Sequence, residues 1–556
     1  MSASPENGAP DRTAPASDVP PAPSPEAVPP RALRWSCPRG WIDRQVAIPE
    51  PAVLWGQDRV VDALDRLALR STRDTPPAGL DLASPGRGGE SRAVAQALRA
   101  RLPGEVAVWD GTLDALRRSD DDPGLLSSPA VDAVVLDVRD LQSTDGAWPL
   151  VRQALVHGRG PGDGSARAQL VVLGPDSARK KLKEADAAWD SAFVERTAFI
   201  PDLPRDRDGV AVVSALVRRT ADELGAGAVE PGAVRFLVEQ LAGRGARRQR
   251  VALRMDRIGL VLVEARHVQA GGPLSARSVR EAWERLRWRG GAAEEGHRAR
   301  IALRQLKVRT TGAQRGVVNG LMVYGGTDAS YCIPGRISAR AGVGRKGVVN
   351  IEREAKYSGR SFDKGILHLD AWLRGTFAGT SHPLGLTASI TFEQSYGKID
   401  GDSATVAETL ALLSELASLP VRQDIAVTGA MNHRGELMPV GSGSLKVRGW
   451  WESCRAHGPL TGSQGVLLPR VSVPDLQLDR DVLADVRAGR FHVWTADRVE
   501  EAAELVMGRD AGHRTPTVGR ETILWRAART LRAMSERLHP PRKPATKPPK
   551  TSAKPT

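Results

Sequence analysis

A serine that precedes a predicted helix could act as a nucleophile in this chain. Ser403 lies in Asp400-Gly401-Asp402-Ser403-Ala404, and a helical pattern runs from there to about residue 419. Amides at the N-terminus of a helix lack intrahelical partners and carry partial positive charge. They can therefore hold the oxyanion that forms when a hydroxyl attacks a carbonyl. Serine and aspartate are also common helix caps, so the pattern alone leaves a catalytic and a capping role open.

A lysine further along the chain could serve as the base for this hydroxyl. Lys446 ends the segment Pro439-Val440-Gly441-Ser442-Gly443-Ser444-Leu445-Lys446. A buried lysine loses its charge readily and can then accept the proton of a serine hydroxyl, so a serine–lysine dyad needs neither histidine nor aspartate. The alternative is an ordinary surface lysine.

Three hydrophobic patterns predict the framework that must position these residues. Strands alternate with helices in the first part, which favours a parallel sheet with helices on its faces. Helical spacing dominates the middle, and strands return in a second α+β region. The predicted units are a disordered tail (1–30), an α/β unit (31–205), a helical unit (206–300), an α+β unit (301–510), a terminal helix (511–538) and a basic disordered tail (539–556).

Composition excludes several classes of protein. The chain has 556 residues, of which 41% are hydrophobic, so it can build cores and is not wholly disordered. Three cysteines without a CxxC pair argue against a disulfide scaffold and a zinc ribbon, and we expect no metal site. We find neither a signal peptide in the first 30 residues nor a run of about 18 apolar residues, and therefore expect a cytoplasmic protein without membrane contact.

The net charge of +14 permits weak contact with nucleic acids. Part of this charge is local to the tail, which has no acidic residue, and the rest is spread out, with two smaller basic clusters. These clusters are 179–183 and 244–250. Because no aromatic stacking platform accompanies them, we interpret them as solvated faces and keep a nucleic-acid-binding protein as an alternative.

Motifs around Ser403 and Lys446 resemble the Lon-type serine protease family. Around the serine these are Thr391-Phe392-Glu393-Gln394-Ser395-Tyr396 and Asp400-Gly401-Asp402-Ser403-Ala404, and before the lysine they are Val427-Thr428-Gly429, Arg434-Gly435-Glu436 and Pro439-Val440-Gly441. Further similarity to the bacterial Lon-related ATP-dependent protease homologs lies in Val317-Val318-Asn319-Gly320-Leu321, Pro334-Gly335-Arg336-Ile337, Asn350-Ile351-Glu352-Arg353-Glu354 and Phe491-His492-Val493-Trp494. The resemblance covers about residues 314–508.

The resemblance implies a role for four residues. Ser403 would be the nucleophile and Lys446 the general base, while Thr428 would donate or accept a hydrogen bond near the dyad. Asp402 matches the acidic residue before the serine in the archaeal-type branch, with helix capping as its alternative role. One departure concerns the segment before Lys446, which lacks the family's glutamate and has shifted glycines, so the lysine helix is expected to start differently.

The front half resembles, more weakly, the AAA+ module that family members carry before the protease. The implied fold class is an α/β AAA+-like module, with a parallel sheet and a helical lid, followed by an α+β Lon-type proteolytic domain. Leu54-Trp55-Gly56-Gln57 resembles the entry motif of such modules.

The phosphate loop of this module is degenerate in the sequence. A working loop needs a lysine for the β and γ phosphates and a Ser or Thr for magnesium. The aligned segment is Ala83-Ser84-Pro85-Gly86-Arg87-Gly88-Gly89-Glu90, in which Gly89 stands at the lysine position and Glu90 at the Ser or Thr position. Asp137 could hold magnesium, but Val138 replaces the catalytic acid that should follow it. Gly86, Gly88, Gly89 and Asp137 are thus predicted remnants of a site that does not hydrolyse ATP. A shifted or weak ATP–magnesium site is the alternative.

The sequence therefore predicts a Lon-like serine endopeptidase that needs no cofactor. The family resemblance implies a homo-oligomeric ring, a hexamer, that acts on unfolded proteins or peptides. An inactive Lon-like scaffold or regulatory ring is the alternative that the altered segment before Lys446 supports.

Overall fold

The protein is described here from a computed structural model. The described residues are 26–44, 46, 54, 56–70, 77–84, 89–117, 122–160, 165–193, 195–243, 249–325, 330–378, 384–395, 397–512 and 521–539. Within them, every helix is too short or too polar to cross a bilayer.

A five-stranded parallel sheet forms the core of the first unit, with the strand order β2-β3-β4-β1-β5. Its central strand β4 is buried throughout because helices cover both faces, as is usual for parallel sheets. The elements are α1 (Arg39–Ile42), α2 (Asp58–Leu69), β1 (Gly79–Ala83), α3 (Glu90–Arg99), β2 (Glu105–Val108), α4 (Leu113–Leu116), α5 (Gly124–Ser127), β3 (Val131–Asp137), α6 (Val138–Ser143), α7 (Ala147–His157), β4 (Gln169–Gly174), α8 (Asp176–Ala185), α9 (Trp189–Ala192) and β5 (Glu195–Ala198).

The helical unit follows, as the spacing of its apolar residues predicts. Its helices share one core of buried aliphatic side chains. Its elements are β6 (Asp202–Pro204), α10 (Arg207–Glu223), α11 (Pro231–Ala242), β7 (Arg250–Ala252), α12 (Met255–Val268) and α13 (Ala276–Arg289), and β6 pairs with β7.

The last unit is built on a mixed seven-stranded sheet with the order β11-β12-β10-β9-β14-β17-β18. Along β12, buried residues alternate with partly exposed ones, as the sequence pattern predicts for a strand with one covered face. The elements are α14 (Ala292–Ala302), β8 (Ala313–Arg315), β9 (Val317–Tyr324), β10 (Tyr331–Val343), β11 (Gly347–Asn350), α15 (Ile351–Glu354), α16 (Arg360–Phe377), β12 (Leu386–Phe392), α17 (Thr405–Ala417), β13 (Pro420–Arg422), β14 (Ile425–Val427), β15 (Ala430–Met431), β16 (Leu437–Met438), α18 (Gly443–His457), β17 (Gly465–Pro469), α19 (Arg480–Arg487), β18 (His492–Ala496), α20 (Val499–Met507) and α21 (Ile523–Leu538).

Two boundaries of this last unit differ from the sequence-based ones. Helix α14 begins before residue 301, yet it packs against α18, and Ile301 belongs to the core of the last unit. Helix α21, expected to be a separate terminal element, packs against α17 and contributes Leu524 and Leu531 to the same unit. Ile301 of α14 and the apolar residues of α21 are thus buried in the cores of the large sheet unit.

Residues 26–44, here called the anchoring segment, differ most from the sequence-based expectation. Residues 26–30 fall in the predicted disordered tail, but the Val28 amide donates to the Val493 carbonyl at 2.7 Å, and Val28 and Leu33 lie in the core of the last unit. Cys37 and Ile42 lie in the core of the helical unit. The segment therefore joins these two units and does not belong to the α/β unit that follows it in sequence.

Truncation of Leu33 should destabilise this junction. Leu33 is fully buried, so Leu33→Ala removes apolar contacts and leaves a cavity, which typically costs about 2–5 kcal/mol. We expect a lower urea midpoint for the cooperative unfolding of the last unit. Ala32→Ser, at the exposed neighbouring position, is the matched control and should unfold like the parent chain. Equal midpoints for Leu33→Ala and the control would show that the anchoring segment is not part of the core.

Candidate active site

Ser403 lies in the turn that leads into α17, the central helix of the last unit. All thirteen residues of α17 are buried, because the helix lies between the seven-stranded sheet and the helices α16, α20 and α21. Ser403 itself is partly exposed, so its hydroxyl is fixed at the end of a rigid element but reachable from outside.

The backbone of Ser403 is held by the segment that follows β14. The Gly429 amide donates to the Ser403 carbonyl at 2.8 Å, and the Thr428 hydroxyl donates to the same oxygen at 3.2 Å. In return, the Val406 amide donates to the Gly429 carbonyl at 3.0 Å. Gly429 is required here because a Cβ atom at this position would lie 2.7 Å from the Val406 side chain.

Lys446 reaches this turn from the neighbouring helix α18. Its Nζ atom lies 2.8 Å from the Ser403 Oγ atom and 2.9 Å from the Thr428 Oγ1 atom, and donates a hydrogen bond to each. Three residues that the sequence separates by up to 43 positions therefore meet at one point. These are the three residues for which the family resemblance implied a dyad and a neighbouring threonine.

Burial changes the acidity of Lys446. Only 3% of its surface is exposed, and burial lowers its pKa from 10.5 to about 8, with opposing contributions from Cys332 and the negative charge of Asp402. An ammonium group loses hydration on burial, which favours the neutral amine. A measurable fraction of Lys446 is therefore neutral near pH 7, and the neutral form can accept a proton from the Ser403 hydroxyl.

The segment before Lys446 departs from the family pattern and also has an unusual backbone. Helix α18 begins at Gly443, and its cap residue Ser442 adopts a left-handed conformation with φ of 59°. Such a conformation costs energy for residues other than glycine. The Lys446 amide nevertheless donates to the Ser442 carbonyl at 3.0 Å, so the first turn is regular and the lysine points into the site.

Sequence reasoning missed the residue that lets α18 approach the sheet. Gly449, nearly one turn after Lys446, packs against β10, where a Cβ atom would lie 2.3 Å from the Cys332 carbonyl oxygen. A larger residue would push α18 away and withdraw Lys446 from Ser403. The available signal was a glycine inside a predicted helix, where glycine is unfavourable unless packing requires it.

Asp402 does not cap the helix. The cap position of α17 is Ala404, without a side-chain cap, and the Asp402 side chain is exposed. Its carbonyl, however, accepts bonds from the Thr405 amide at 3.1 Å and the Thr405 hydroxyl at 2.7 Å. The contribution of the Asp402 carboxylate to the site is electrostatic, since its negative charge favours the charged form of Lys446.

The predicted remnants of a nucleotide site lie at the carboxyl ends of β1 and β3. Gly89 caps α3 in a left-handed conformation, and Glu90 begins the helix. The Asp137 carboxylate caps α6 through the Arg139 amide and forms an ion pair with the Arg139 guanidinium at 2.5 Å. Gly86 and Gly88 lie outside the described residues.

The basic cluster at 179–183 is largely paired with acidic side chains. Arg179 contacts the buried Asp81 at 2.5 Å, and Lys183 contacts Asp190 at 2.8 Å. Residues 244–248 and 540–556, which hold most of the other two basic stretches, lie outside the described residues.

Comparison with known proteins assigns this part of the chain to a class. Residues 394–507 match the family model of the Lon protease (S16) C-terminal proteolytic domain. The match includes Ser403, Thr428 and Lys446, so the region that brings these residues together is a peptidase domain.

Similarity to individual proteins agrees with this assignment. Two bacterial proteins named "Putative Lon protease homolog" are similar to this chain. The protein from Escherichia coli (strain K12) is 34% identical over 239 residues, which are 43% of this chain and 40% of that protein. The protein from Haemophilus influenzae is 38% identical over 222 residues, which are 40% of this chain and 37% of that protein. An archaeal Lon protease from Pyrococcus abyssi is 25% identical over 217 residues, which are 36% and 18%. The carboxyl-terminal part of the chain is therefore similar to the Lon-type protease family, and the matches span about two fifths of the length of the bacterial relatives or less.

The lowered pKa of Lys446 should appear as a pH dependence of stability. Between about pH 8 and 10.5 the unfolded chain binds a proton at this lysine that the folded chain has lost, so Lys446 contributes a rise with pH to the free energy of unfolding in this window. The full effect is about 3 kcal/mol. Lys446→Met should remove this rise in urea titrations across the window, whereas Lys307→Met, at an exposed lysine, should keep it. Parallel curves for the parent chain and Lys446→Met would contradict the burial of a titrating amine.

Proposed function

We propose that the chain is a Lon-like serine endopeptidase that uses Ser403 and Lys446 as a catalytic dyad. The observation that carries this proposal is the 2.8 Å contact between the Lys446 amine and the Ser403 hydroxyl in a buried pocket. A hydroxyl is a weak nucleophile unless a base removes its proton, and a desolvated lysine can be such a base. The assignment of the region to a proteolytic domain supports the same reading.

In the proposed reaction, neutral Lys446 takes the Ser403 proton as the Ser403 Oγ atom attacks the peptide carbonyl carbon. The carbonyl becomes an oxyanion, and when it reforms, the peptide C–N bond breaks and Lys446 returns the proton to the leaving amine. Water then attacks the acyl group on Ser403 while Lys446 takes a proton from the water. The bond to the Ser403 Oγ atom breaks, and Lys446 passes the proton to this oxygen. Each cycle consumes one water and one peptide bond.

Two backbone amides are candidates for holding the oxyanion. In the described part of the chain, the Ser403 and Ala404 amides have no hydrogen-bond partner, while the following amides of Thr405 and Val406 are engaged. They stand at the N-terminus of α17, where the partial positive charge of a helix favours an anion. Donors fixed in advance of the reaction stabilise the transition state without reorganisation.

Thr428 is proposed as a positioning residue. Its hydroxyl accepts a hydrogen bond from Lys446 and donates one to the Ser403 carbonyl, and its amide donates to the Leu467 carbonyl at 3.0 Å. It therefore fixes the amine of Lys446 relative to the serine backbone, and strand β17 fixes the threonine.

The front unit is proposed to be an AAA+-like module that does not hydrolyse ATP. The parallel sheet followed by a helical unit supports this fold. Helix α3 begins at Glu90, whose carboxylate would repel a phosphate at the position where phosphate binding needs positive charge. The ion pair of Asp137 with Arg139 also occupies the carboxylate that would hold magnesium. Without ATP-driven unfolding, the substrates are proposed to be unfolded proteins or peptides, cut inside a homo-oligomeric ring.

Casein degradation by the purified chain, with and without ATP–magnesium, tests the dyad and the ATP independence together. We expect cleavage that is insensitive to ATP and that falls at least about a hundredfold in Ser403→Ala, because removal of a nucleophile abolishes the covalent step. Ser395→Ala, at a serine that precedes Ser403 in the chain and lines a different pocket, is the control and should retain activity.

Each other result would be equally informative. Unchanged cleavage by Ser403→Ala would exclude this serine as the nucleophile. Cleavage only with ATP would mean that the front unit, with its β1–α3 loop, still hydrolyses ATP. Absence of cleavage in both conditions would favour the scaffold alternative.

The pH profile of hydrolysis should report the ionisation of Lys446. Because only the neutral amine can act as the base, kcat/KM of the free enzyme should rise with pH, with a midpoint at about 8. Asp402→Asn removes a negative charge that raises this pKa, so the rising limb should move to lower pH. A profile with its midpoint below pH 7, or one that Asp402→Asn leaves in place, would assign the base to another group.

A further inference from the structure

A cleft lined by arginines lies at the junction of the helical unit and the last unit. Helices α11 and α13 form one wall, α19 forms another, and the anchoring segment closes it, around a cavity of about 770 Å³. We call this the arginine cleft, after the arginines that line it: Arg31, Arg34, Arg235, Arg280, Arg480 and Arg487.

The positive charge of the arginine cleft is only partly balanced. Glu239 is the acidic residue among those that line it, and it pairs with Arg34 at 2.9 Å and with Arg235 at 3.3 Å. Within the described ranges, the other four arginines have no carboxylate at ion-pair distance. Among the lining residues, six arginines accompany one glutamate, which two of them already share, and further carboxylates, such as Asp479 and Asp481, line the adjoining pocket.

The arginines also oppose one another. The pKa of Arg480 is lowered by burial and by the positive charges of Arg280 and Arg34. Arg34 holds its place because it is only 5% exposed and donates to both the Leu478 carbonyl and Glu239. The folded chain thus keeps a fixed concentration of like charge, which an anion would relieve.

We propose that the arginine cleft binds a small, multiply charged phosphate compound. Guanidinium groups match phosphate oxygens in a bidentate geometry and are the preferred partners of such anions. The cavity lies within the range of about 300–1,000 Å³ that is usual for small-molecule sites. Several arginines around one cavity suit a compound with two or more phosphate groups better than a single phosphate.

The aromatic residues of the cleft favour a small anion over single-stranded nucleic acid. Nucleic-acid grooves present free ring faces on which bases stack. Here Arg280 covers the Phe236 ring at 5.3 Å and Arg205 covers the Trp35 ring at 5.2 Å, so both rings already have cationic partners.

The arginine cleft is separate from the two sites described above. None of the residues that line it contacts Ser403 or Lys446 by a hydrogen bond, and none comes from the β1–α3 loop or β3. The proposed binding therefore does not depend on peptidase activity or on the degenerate phosphate loop.

Isothermal titration of the full chain with sodium tripolyphosphate at low salt tests the proposal. We expect saturable binding that weakens as salt rises, and binding of inorganic monophosphate that is at least about tenfold weaker, since it meets fewer guanidinium groups. Arg280→Gln and Arg480→Gln should each weaken tripolyphosphate binding about tenfold. Arg532→Gln, at an exposed arginine of α21, should leave it unchanged.

Two further measurements keep the test decisive. Arg280→Lys and Arg480→Lys keep the charge but lose the planar fork, so intermediate affinities would support recognition by guanidinium geometry. Equal affinity for the parent chain and a folded Arg280→Gln and Arg480→Gln double variant, as judged by circular dichroism, would overturn the proposal. A single-stranded oligonucleotide that binds more tightly and displaces tripolyphosphate would overturn it in favour of a nucleic-acid surface.

Discussion

The burial of one amine governs the architecture around the proposed dyad. An ammonium group taken out of water must be neutralised or given partners, and Lys446 has two hydroxyl acceptors, on Ser403 and Thr428, and no carboxylate at ion-pair distance within the described residues. A nearby carboxylate would hold the lysine in its charged form and remove its capacity to act as a base. The site thus depends on keeping negative charge at a distance, and Asp402, exposed at the rim, is the acidic residue whose charge acts on the amine.

Such burial requires close packing of three chain segments. Gly449 lets α18 approach β10, and Gly429 lets the end of β14 lie against the start of α17. The wholly buried helix α17 packs against β10 and carries the turn with Ser403, and the surrounding sheet and helices hold it in place. The geometry of the site is therefore set mainly by close backbone contacts between elements, and the conformation of the flexible lysine side chain contributes little to it.

The sequence predicted much of the fold because many elements carry local patterns. Strands alternate with helices in the front unit and return in the last unit as the apolar patterns indicated, and Ser403 meets Lys446 as the family resemblance implied. The left-handed conformation of Ser442 could not be predicted. A glycine at position 449 signals close packing, but its partner, the Cys332 carbonyl on β10, is distant in sequence and could not be predicted either. The same holds for the anchoring segment, whose first residues end a proline-rich stretch and whose partners are the helical unit and the strand β18.

The path of the anchoring segment changes how the front unit relates to the rest of the chain. The chain enters the parallel-sheet unit from the helical unit, where Ile42 is buried, and returns to that same unit at β6. The parallel sheet is thus an insertion into a body formed by the segments on either side of it. An insertion whose two ends leave from one body can diverge in its loops without disturbing the framework of the host. This arrangement gives a physical reason why the sequence between β1 and α3 could change without altering the geometry around Ser403 and Lys446.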